Sequence, residues 1–277
     1  MFEPNCVVVL LAPELTLKSA AVRAFMQARL KKNILLCLKN KEVPFSKMVF
    51  MGGRYLVYST DPMRAVLVLG KCFGVHALYL AQESTFTNLD EIAKKAADVS
   101  MDSIKEGTFA IRGKSFTKEF SSKKLEEELG GALLDAHPAL KVKLKNPEQE
   151  LYCLTHKDKA IFYFKELPAA RGMPLGSQGR AGLIVDNYDK KDLVKLGLLL
   201  MKTGCCLIVV GSEEYTIKEL EEWNSFQRLK FAPFNKAKEY YAHEGIRAFF
   251  SPARTIEEAR RDLELVGVKV FAPFLVG

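Results

Sequence analysis

Apolar and polar positions along the chain alternate in blocks whose period switches between two and about 3.6 residues, the pattern of interleaved strands and helices. Cys6 to Ala12 is an apolar, β-branched run of strand length. Thr16 to Asn40 repeats at helical spacing, with Val22, Phe25, Met26, Leu30, Ile34 and Cys37 on one side and Arg23, Arg29, Lys31, Lys32 and Lys39 on the other. Gly52-Gly53 marks a turn between short strands at Met48 to Met51 and Tyr55 to Ser59. A helix over Asp61 to Lys71 and a strand over Ala77 to Ala81 complete a β-α-β-β-α-β, ferredoxin-like plan.

The next block predicts a helix from Asn88 to Lys105, a strand from Thr108 to Gly113, and a helix from Ser121 to about Ala136 with a capping signal from Ser122 and Glu126. Strands at Glu150 to Thr155 and Ala160 to Phe164 then flank a turn at His156 to Lys159. A Gly/Pro-rich connector from Pro168 to Gly179 reads as a domain junction. Beyond it the expected order is strand Ala181 to Val185, helix Lys190 to Lys202, strand Cys206 to Val210, helix Thr216 to Phe226, helix Asn235 to His243, strand Ile246 to Phe250, helix Thr255 to Val266 and strand Val268 to Phe271. Alternating β and α at this spacing predicts a doubly wound parallel sheet. The chain is thus expected to be an α/β (α+β) protein of three parts, with boundaries at 1–75, 76–171 and 172–277.

Composition removes several classes. Hydrophobic residues at 48% and charged residues at 27% fit an ordinary globular chain of 277 residues. No apolar run approaches the roughly 18 to 20 residues of a membrane span, and Met1-Phe2-Glu3-Pro4 lacks the features of a secretory signal, so a cytoplasmic location is expected. The six cysteines, Cys6, Cys37, Cys72, Cys153, Cys205 and Cys206, show no zinc spacing and read as reduced thiols; no metal site is expected. His76, His137, His156 and His243 are scattered, and Trp223 reads as a packing anchor. The net charge is +8, and residues 1–75 carry 11 Lys and Arg against 4 Asp and Glu, whereas 76–171 carry 15 against 15 and 172–277 carry 15 against 14. A basic field concentrated in this way attracts phosphate polyanions.

The stretch Phe109 to Ser122 places Arg112, Lys114 and Lys118 near a helix start, where free backbone N–H groups add to the cationic charge and form a phosphate clamp. The run from Thr108 to Gly131, then Lys141-Val142-Lys143-Leu144-Lys145-Asn146-Pro147 and Gly172-Met173-Pro174-Leu175-Gly176-Ser177-Gln178, resembles the THUMP domain region of the tRNA 4-thiouridine synthetases, the tRNA sulfurtransferase family. Pro13 to Arg23 resembles the ferredoxin-like domain that precedes THUMP there, and order and spacing agree over roughly residues 5–205.

That resemblance implies that the first two domains hold the acceptor end of tRNA and that the third is a PP-loop ATP pyrophosphatase fold. By motif position it assigns Lys18, Arg23 and Arg54, and Arg112, Lys114, Lys118, Lys141, Lys143 and Lys145, to phosphate and sugar contacts. The third domain departs from the family. Where an active PP-loop has Ser-Gly-Gly-x-Asp-Ser, this chain has Tyr188-Asp189-Lys190-Lys191-Asp192-Leu193, and only Asp192 agrees. Asp186 and Asp189 would repel a triphosphate unless magnesium intervened, and the chain ends soon after Phe271-Ala272-Pro273-Phe274, so a degenerate domain that does not hydrolyse ATP is expected.

Three functions follow as alternatives. The first is a tRNA binder acting in or derived from thiolation, with a separate catalytic or sulfur-donor protein and a homodimer among its expected partners. The second is an active ATP-dependent sulfurtransferase using ATP and Mg2+ at Gly176, Ser177, Gln178, Gly179 and Asp192, with Cys205 or Cys206 carrying sulfur. The third keeps the fold but uses the Phe231 to Tyr241 segment for a protein partner.

Overall fold

The structure, a computed structural model, describes residues 1–104, 106–225, 228–243 and 245–275. It divides into two compact units, the first built from Met1–Leu10, Val43–Leu67 and Ala77–Pro168, the second from Leu11–Glu42, Val68–His76 and Ala169–Gly277.

The chain begins with β1 (Cys6–Leu11), a short α1 (Pro13–Thr16), α2 (Ala20–Asn40), β2 (Lys47–Met51), β3 (Arg54–Tyr58), α3 (Pro62–Leu69) and β4 (Val75–Thr85), the expected β-α-β-β-α-β order. The single helix expected over Thr16 to Asn40 is interrupted after Thr16 and restarts at Ala20. Its buried stripe runs Met26, Leu30, Asn33, Ile34 and Leu38, whereas Val22 and Phe25 are exposed. The apolar periodicity of the first turn therefore outruns the packing surface, and Asn33 is accommodated because its Nδ2 donates to the Leu175 carbonyl at 3.1 Å. The β2–β3 turn needs left-handed backbone at Gly52 (φ +56°) and Gly53 (φ +81°), which glycine adopts without a Cβ clash.

The chain continues with α4 (Leu89–Ser100), β5 (Gly107–Ser115), α5 (Ser122–Ala136), β6 (Leu140–Val142), β7 (Gln149–His156), β8 (Lys159–Tyr163) and β9 (Leu167–Pro168). Helix α4 stops at Ser100, short of the expected end, and Lys105 lies outside the described residues. Helix α5 is capped by Ser121, whose Oγ accepts from Lys124 N at 3.1 Å. The side chains of Ser122 and Glu126, expected to cap it, instead accept from Ser115 N (3.0 Å) and Gly113 N (2.8 Å), fastening the helix to β5. The strands form one sheet in the order β2-β3-β1-β4-β8-β7-β5-β6, with β9 paired to β4. Helices α4 and α5 cover one face through Ile92, Ala96, Leu125, Leu129 and Leu133 against Phe109, Ile111, Leu151, Cys153 and Phe162.

The remainder supplies β10 (Arg180–Ile184), α6 (Lys190–Lys202), β11 (Cys206–Gly211), α7 (Lys218–Glu221), β12 (Lys230–Pro233), α8 (Ala237–His243), β13 (Ile246–Phe250), α9 (Ile256–Val266) and β14 (Val270–Phe271). All five strands are parallel, in the order β12-β11-β10-β13-β14, so the sheet is doubly wound as expected. Strand β12 has no counterpart among the expected elements, and α7 is a single turn in place of a helix to Phe226; Phe226 lies outside the described residues. Leu183, Leu193, Leu196 and Val209 fill one side of this sheet, and Ile184, Ile208, Phe249 and Val266 the other. The connections reverse direction between β10 and β13, where open α/β sheets place their ligand crevice.

Candidate nucleic-acid interface

Strand β5 sends Phe109 and Ile111 into the core beneath α4 and α5, and the two-residue period turns Arg112 and Lys114 to the opposite face. Arg112 is half-buried and is held through two of its nitrogens. Its Nε donates to Glu150 Oε1 at 2.8 Å, and its Nη2 lies 2.7 Å from the same carboxylate and donates to the Leu144 carbonyl at 2.9 Å. Burial alone would raise the Glu150 pKa, but hydrogen bonds from Tyr152 and Arg112 and the guanidinium charge outweigh it and hold it below the ordinary carboxylate range. Arg112 is therefore a strut that ties the segment after β6 to β7.

That strut presents a row of lysines. Lys141 pairs with Thr108 at the edge of the sheet, the Lys143 N–H donates to the Phe109 carbonyl at 2.9 Å, and the Lys141, Lys143 and Lys145 side chains are all exposed. Lys114, near the end of β5, and Lys118, in the loop from β5 to α5, are exposed as well, while Ser115 Oγ accepts from Thr117 N and donates to the Phe120 carbonyl (2.9 Å), fixing the loop's path. Two cations outside the set expected from the sequence, Lys123 and Lys124, are exposed in the first turn of α5. Their signal lies in Ser121-Ser122-Lys123-Lys124, a cap followed directly by two cations. Phe116 is also 39% exposed in this loop and packs over Gly52.

Arg54 is not part of that row. Its Nη1 donates to the Tyr163 hydroxyl at 2.7 Å, and Tyr163 stacks on Tyr152 at 5.0 Å between ring centroids, so the guanidinium is bound into a tyrosine cluster. Lys18 and Arg23 are exposed and belong to the second unit, at the start of α2.

In the second unit, the residues expected to hold a nucleotide are not brought together. Gly176 to Gly179 precede β10, while Asp192 follows it on α6, so the two groups lie at opposite ends of that strand. Asp192 accepts from Arg254 Nη2 at 2.8 Å and Nε at 3.1 Å, and the hydrogen bond from Arg254 is the main reason its pKa is lowered. Asp189 caps α6 by accepting from Lys191 N at 2.7 Å, and both Asp186 carboxylate oxygens accept from Ser212 N. Tyr188, where the PP-loop has its first serine, donates to Asp262 Oδ2 at 2.5 Å and is bonded to Ser251 Oγ (3.0 Å) and Arg261 Nη2 (3.1 Å). Burial, then the hydrogen bond to Asp262, pushes the phenol up to about 12. The crevice beside it, about 500 Å³, is lined by Asp186, Glu213 and Glu214.

Burial raises the thiol pKa of Cys205 and of Cys206, so both are protonated near neutrality. Among the described residues no group of three or more His, Cys, Asp or Glu side chains is placed to hold a metal ion, and no helix is long and apolar enough to cross a membrane.

Residues 86–165 match the THUMP domain family, so the chain is a THUMP-domain protein. A probable tRNA sulfurtransferase of Methanosarcina mazei is 33% identical over 216 residues, covering 75% of this chain and 52% of that protein. The tRNA sulfurtransferase of Salmonella typhimurium is 26% identical over 243 residues, covering 82% of this chain and 50% of that one. The chain belongs to the tRNA sulfurtransferase family, and it spans about half the length of these curated relatives. Two solved structures share the fold. PH1313 from Pyrococcus horikoshii superposes with a TM-score of 0.81 at 22% identity, covering 99% of this chain and 95% of that one. A 4-thiouridine synthetase in complex with RNA and bound ATP gives 0.72 at 17% identity, covering 99% and 81%.

Proposed function

We propose that this chain binds the acceptor end of tRNA, acting in or derived from tRNA thiolation, and that it carries out no ATP pyrophosphatase step of its own. The observation that carries the reading is the row of Lys141, Lys143 and Lys145, held along the sheet edge by the Arg112 strut and joined by Lys114 near the end of β5 and Lys118 in the loop that follows. Lysines on a rigid backbone suit the phosphates and 2′-hydroxyls of A-form RNA, which is read by shape because its major-groove base edges are out of reach. Lys123 and Lys124 join this set, Lys18 and Arg23 are assigned phosphate contacts from the second unit, and Arg112 and Arg54 are assigned to holding the framework. Residues 1–75, 76–171 and 172–277 are the ferredoxin-like, RNA-binding and pyrophosphatase-like segments of this reading. The names of the sulfurtransferase relatives and of the RNA-bound structural neighbour support it.

The turn after β10 does not fit a nucleoside triphosphate. Such a ligand needs free N–H groups at the helix start and a lining that is not acidic. Here Asp189 occupies the cap, Tyr188 is bound into the crevice, and Asp186, Glu213 and Glu214 line it. Catalysis and sulfur delivery then fall to a separate protein in the cytoplasm.

The test is tRNA binding across a salt series, together with an assay for AMP and pyrophosphate in the presence of tRNA, ATP and Mg2+. Salt-sensitive binding without either product is expected. Release of both products would restore the ATP-dependent sulfurtransferase reading, and binding that ignores salt would remove the RNA reading.

A further inference from the structure

We infer that Cys37 and Cys72 form a reversible oxidation site, in which a small peroxide oxidises the Cys37 sulfur and Cys72 resolves it to a disulfide within the same chain. Both residues lie in the second unit. Cys37 stands in the last turn of α2, and Cys72 in the connection from α3 to β4. Sequence separates them by β2, β3 and α3, yet their thiols are in hydrogen-bond contact with each other. Cys37 Sγ also lies 3.2 Å from Ser225 Oγ, so two groups converge on one sulfur. The residues next to the pair are pinned as well. Asn40 Nδ2 donates to the Ser225 carbonyl at 3.0 Å, Lys71 Nζ donates to Glu222 Oε2 at 2.5 Å, and the rings of Phe73 and Trp223 lie 5.7 Å apart. Two sulfurs held together in this way turn disulfide formation into an intramolecular step.

Burial and charge assign the order of events. Cys37 is partly exposed and Cys72 is buried, so an oxidant arriving from solvent meets Cys37 first. The hydrogen bond from Cys72 lowers the Cys37 pKa, and Ser225 and Lys41 add to it against the effect of burial. The same hydrogen bond, and burial after it, raise that of Cys72. In the other four cysteines burial is the leading cause and the pKa is raised. Since the thiolate is the nucleophile, Cys37 is the sulfur that reacts. Its attack on one oxygen of hydrogen peroxide breaks the O–O bond, leaves a sulfenic acid on Cys37, and releases hydroxide that takes a proton to become water. The Cys72 sulfur then attacks Cys37, the S–O bond breaks, and the departing hydroxide leaves with the Cys72 proton as a second water. Two electrons have passed from the two sulfurs to the peroxide. Once the sulfurs are joined, Cys37 no longer has a proton to donate to Ser225, which is buried and loses this partner. Oxidation is thereby felt in the segment that leads from α7 toward β12.

The site goes beyond the tRNA reading and does not depend on it, since neither cysteine belongs to the proposed RNA surface. The experiment treats the full chain, reduced and freed of reductant, with hydrogen peroxide, and follows it by intact mass and by peptide mapping under non-reducing conditions. The expected result is the loss of two hydrogens per chain, with the peptides carrying Cys37 and Cys72 joined and both thiols restored by dithiothreitol. Cys72→Ala is expected to stop one step earlier, with a single added oxygen on Cys37 that dimedone captures. The wild-type peptide map decides the question by itself where that variant fails to fold. Three outcomes in the wild-type chain overturn the site: Cys37 and Cys72 both remain reduced, Cys37 proceeds unlinked to sulfinic acid, or a different pair of cysteines is joined.

Discussion

Arg112 lies 2.7 Å from the Glu150 carboxylate and at the same time donates to the Leu144 carbonyl, so one guanidinium joins β5, β7 and the lysine-bearing segment. This pair separates two kinds of RNA binding. If only net charge mattered, Glu150→Gln would strengthen binding by removing a negative charge. Because the carboxylate holds the strut in place, Glu150→Gln is instead expected to weaken tRNA affinity by about three- to tenfold, the scale of one part-buried charge-assisted hydrogen bond. Filter binding at fixed salt checks it, and tighter binding would show that Arg112 needs no such anchor.

The lysine row makes a different prediction. Replacing Lys141, Lys143 and Lys145 with glutamine should lower tRNA affinity and flatten its dependence on salt, by roughly 0.7 to 0.9 in the log–log slope for each phosphate that is no longer neutralised. Arg112→Ala should lower affinity through loop disorder while changing the slope less. Equal slopes for the lysine triple variant and the wild type would mean that these side chains meet no phosphate.

Tyr188 gives a pH signature. Its folded-state pKa is raised to about 12 from an ordinary value near 10, so its contribution to stability is fully present below pH 10 and is lost as pH rises toward 12. Tyr188→Phe should destabilise the chain by about 1 to 2 kcal/mol at neutral pH, since it unpairs buried Asp262 from one partner. The alkaline fall in stability should also be smaller in the variant than in the wild type. Denaturant titrations at pH 8 and pH 11 provide the comparison.

Gly52 should resist substitution. Its φ of +56° strains any side chain, and a Cβ would lie 2.4 Å from Phe116 Cζ, so Gly52→Ala is expected to cost about 1 to 2 kcal/mol and to displace the Phe116 ring. Gly53→Ala meets no neighbour and should carry only the backbone cost. Thermal unfolding of the two variants side by side tests the difference.

Cys205 and Cys206 should react slowly with iodoacetamide at pH 7 and faster above pH 9, because burial raises both thiols above their ordinary value of 9.0. Rapid alkylation of either at pH 7 would reopen a sulfur-carrying role for it.

Features with a local cause are legible in the sequence, and features fixed at a distance are not. Helix α6 and strand β13 are legible to the residue because a cap at Asp189 and a run of β-formers sit beside their own periodic patterns. Strands β6 and β12 escape notice because three or four residues are too few to establish a period, and β12 also ends on a proline. The lysines of 141–145 stand out by charge alone, but the role of Arg112 does not, because it is decided by a carboxylate 38 positions away. Gly176 to Gly179 and Asp192 are close in sequence, yet a parallel strand between them sends them to opposite ends of the sheet. Val22 and Phe25 fit the helical stripe but extend past the surface it packs on.

Strand β10 is only five residues long, a span of roughly 17 Å, yet acidic groups gather beyond its last residue and basic groups around its first. The two ends of the second unit's strands are therefore lined differently, and a small molecule seated at one end is out of reach of the other.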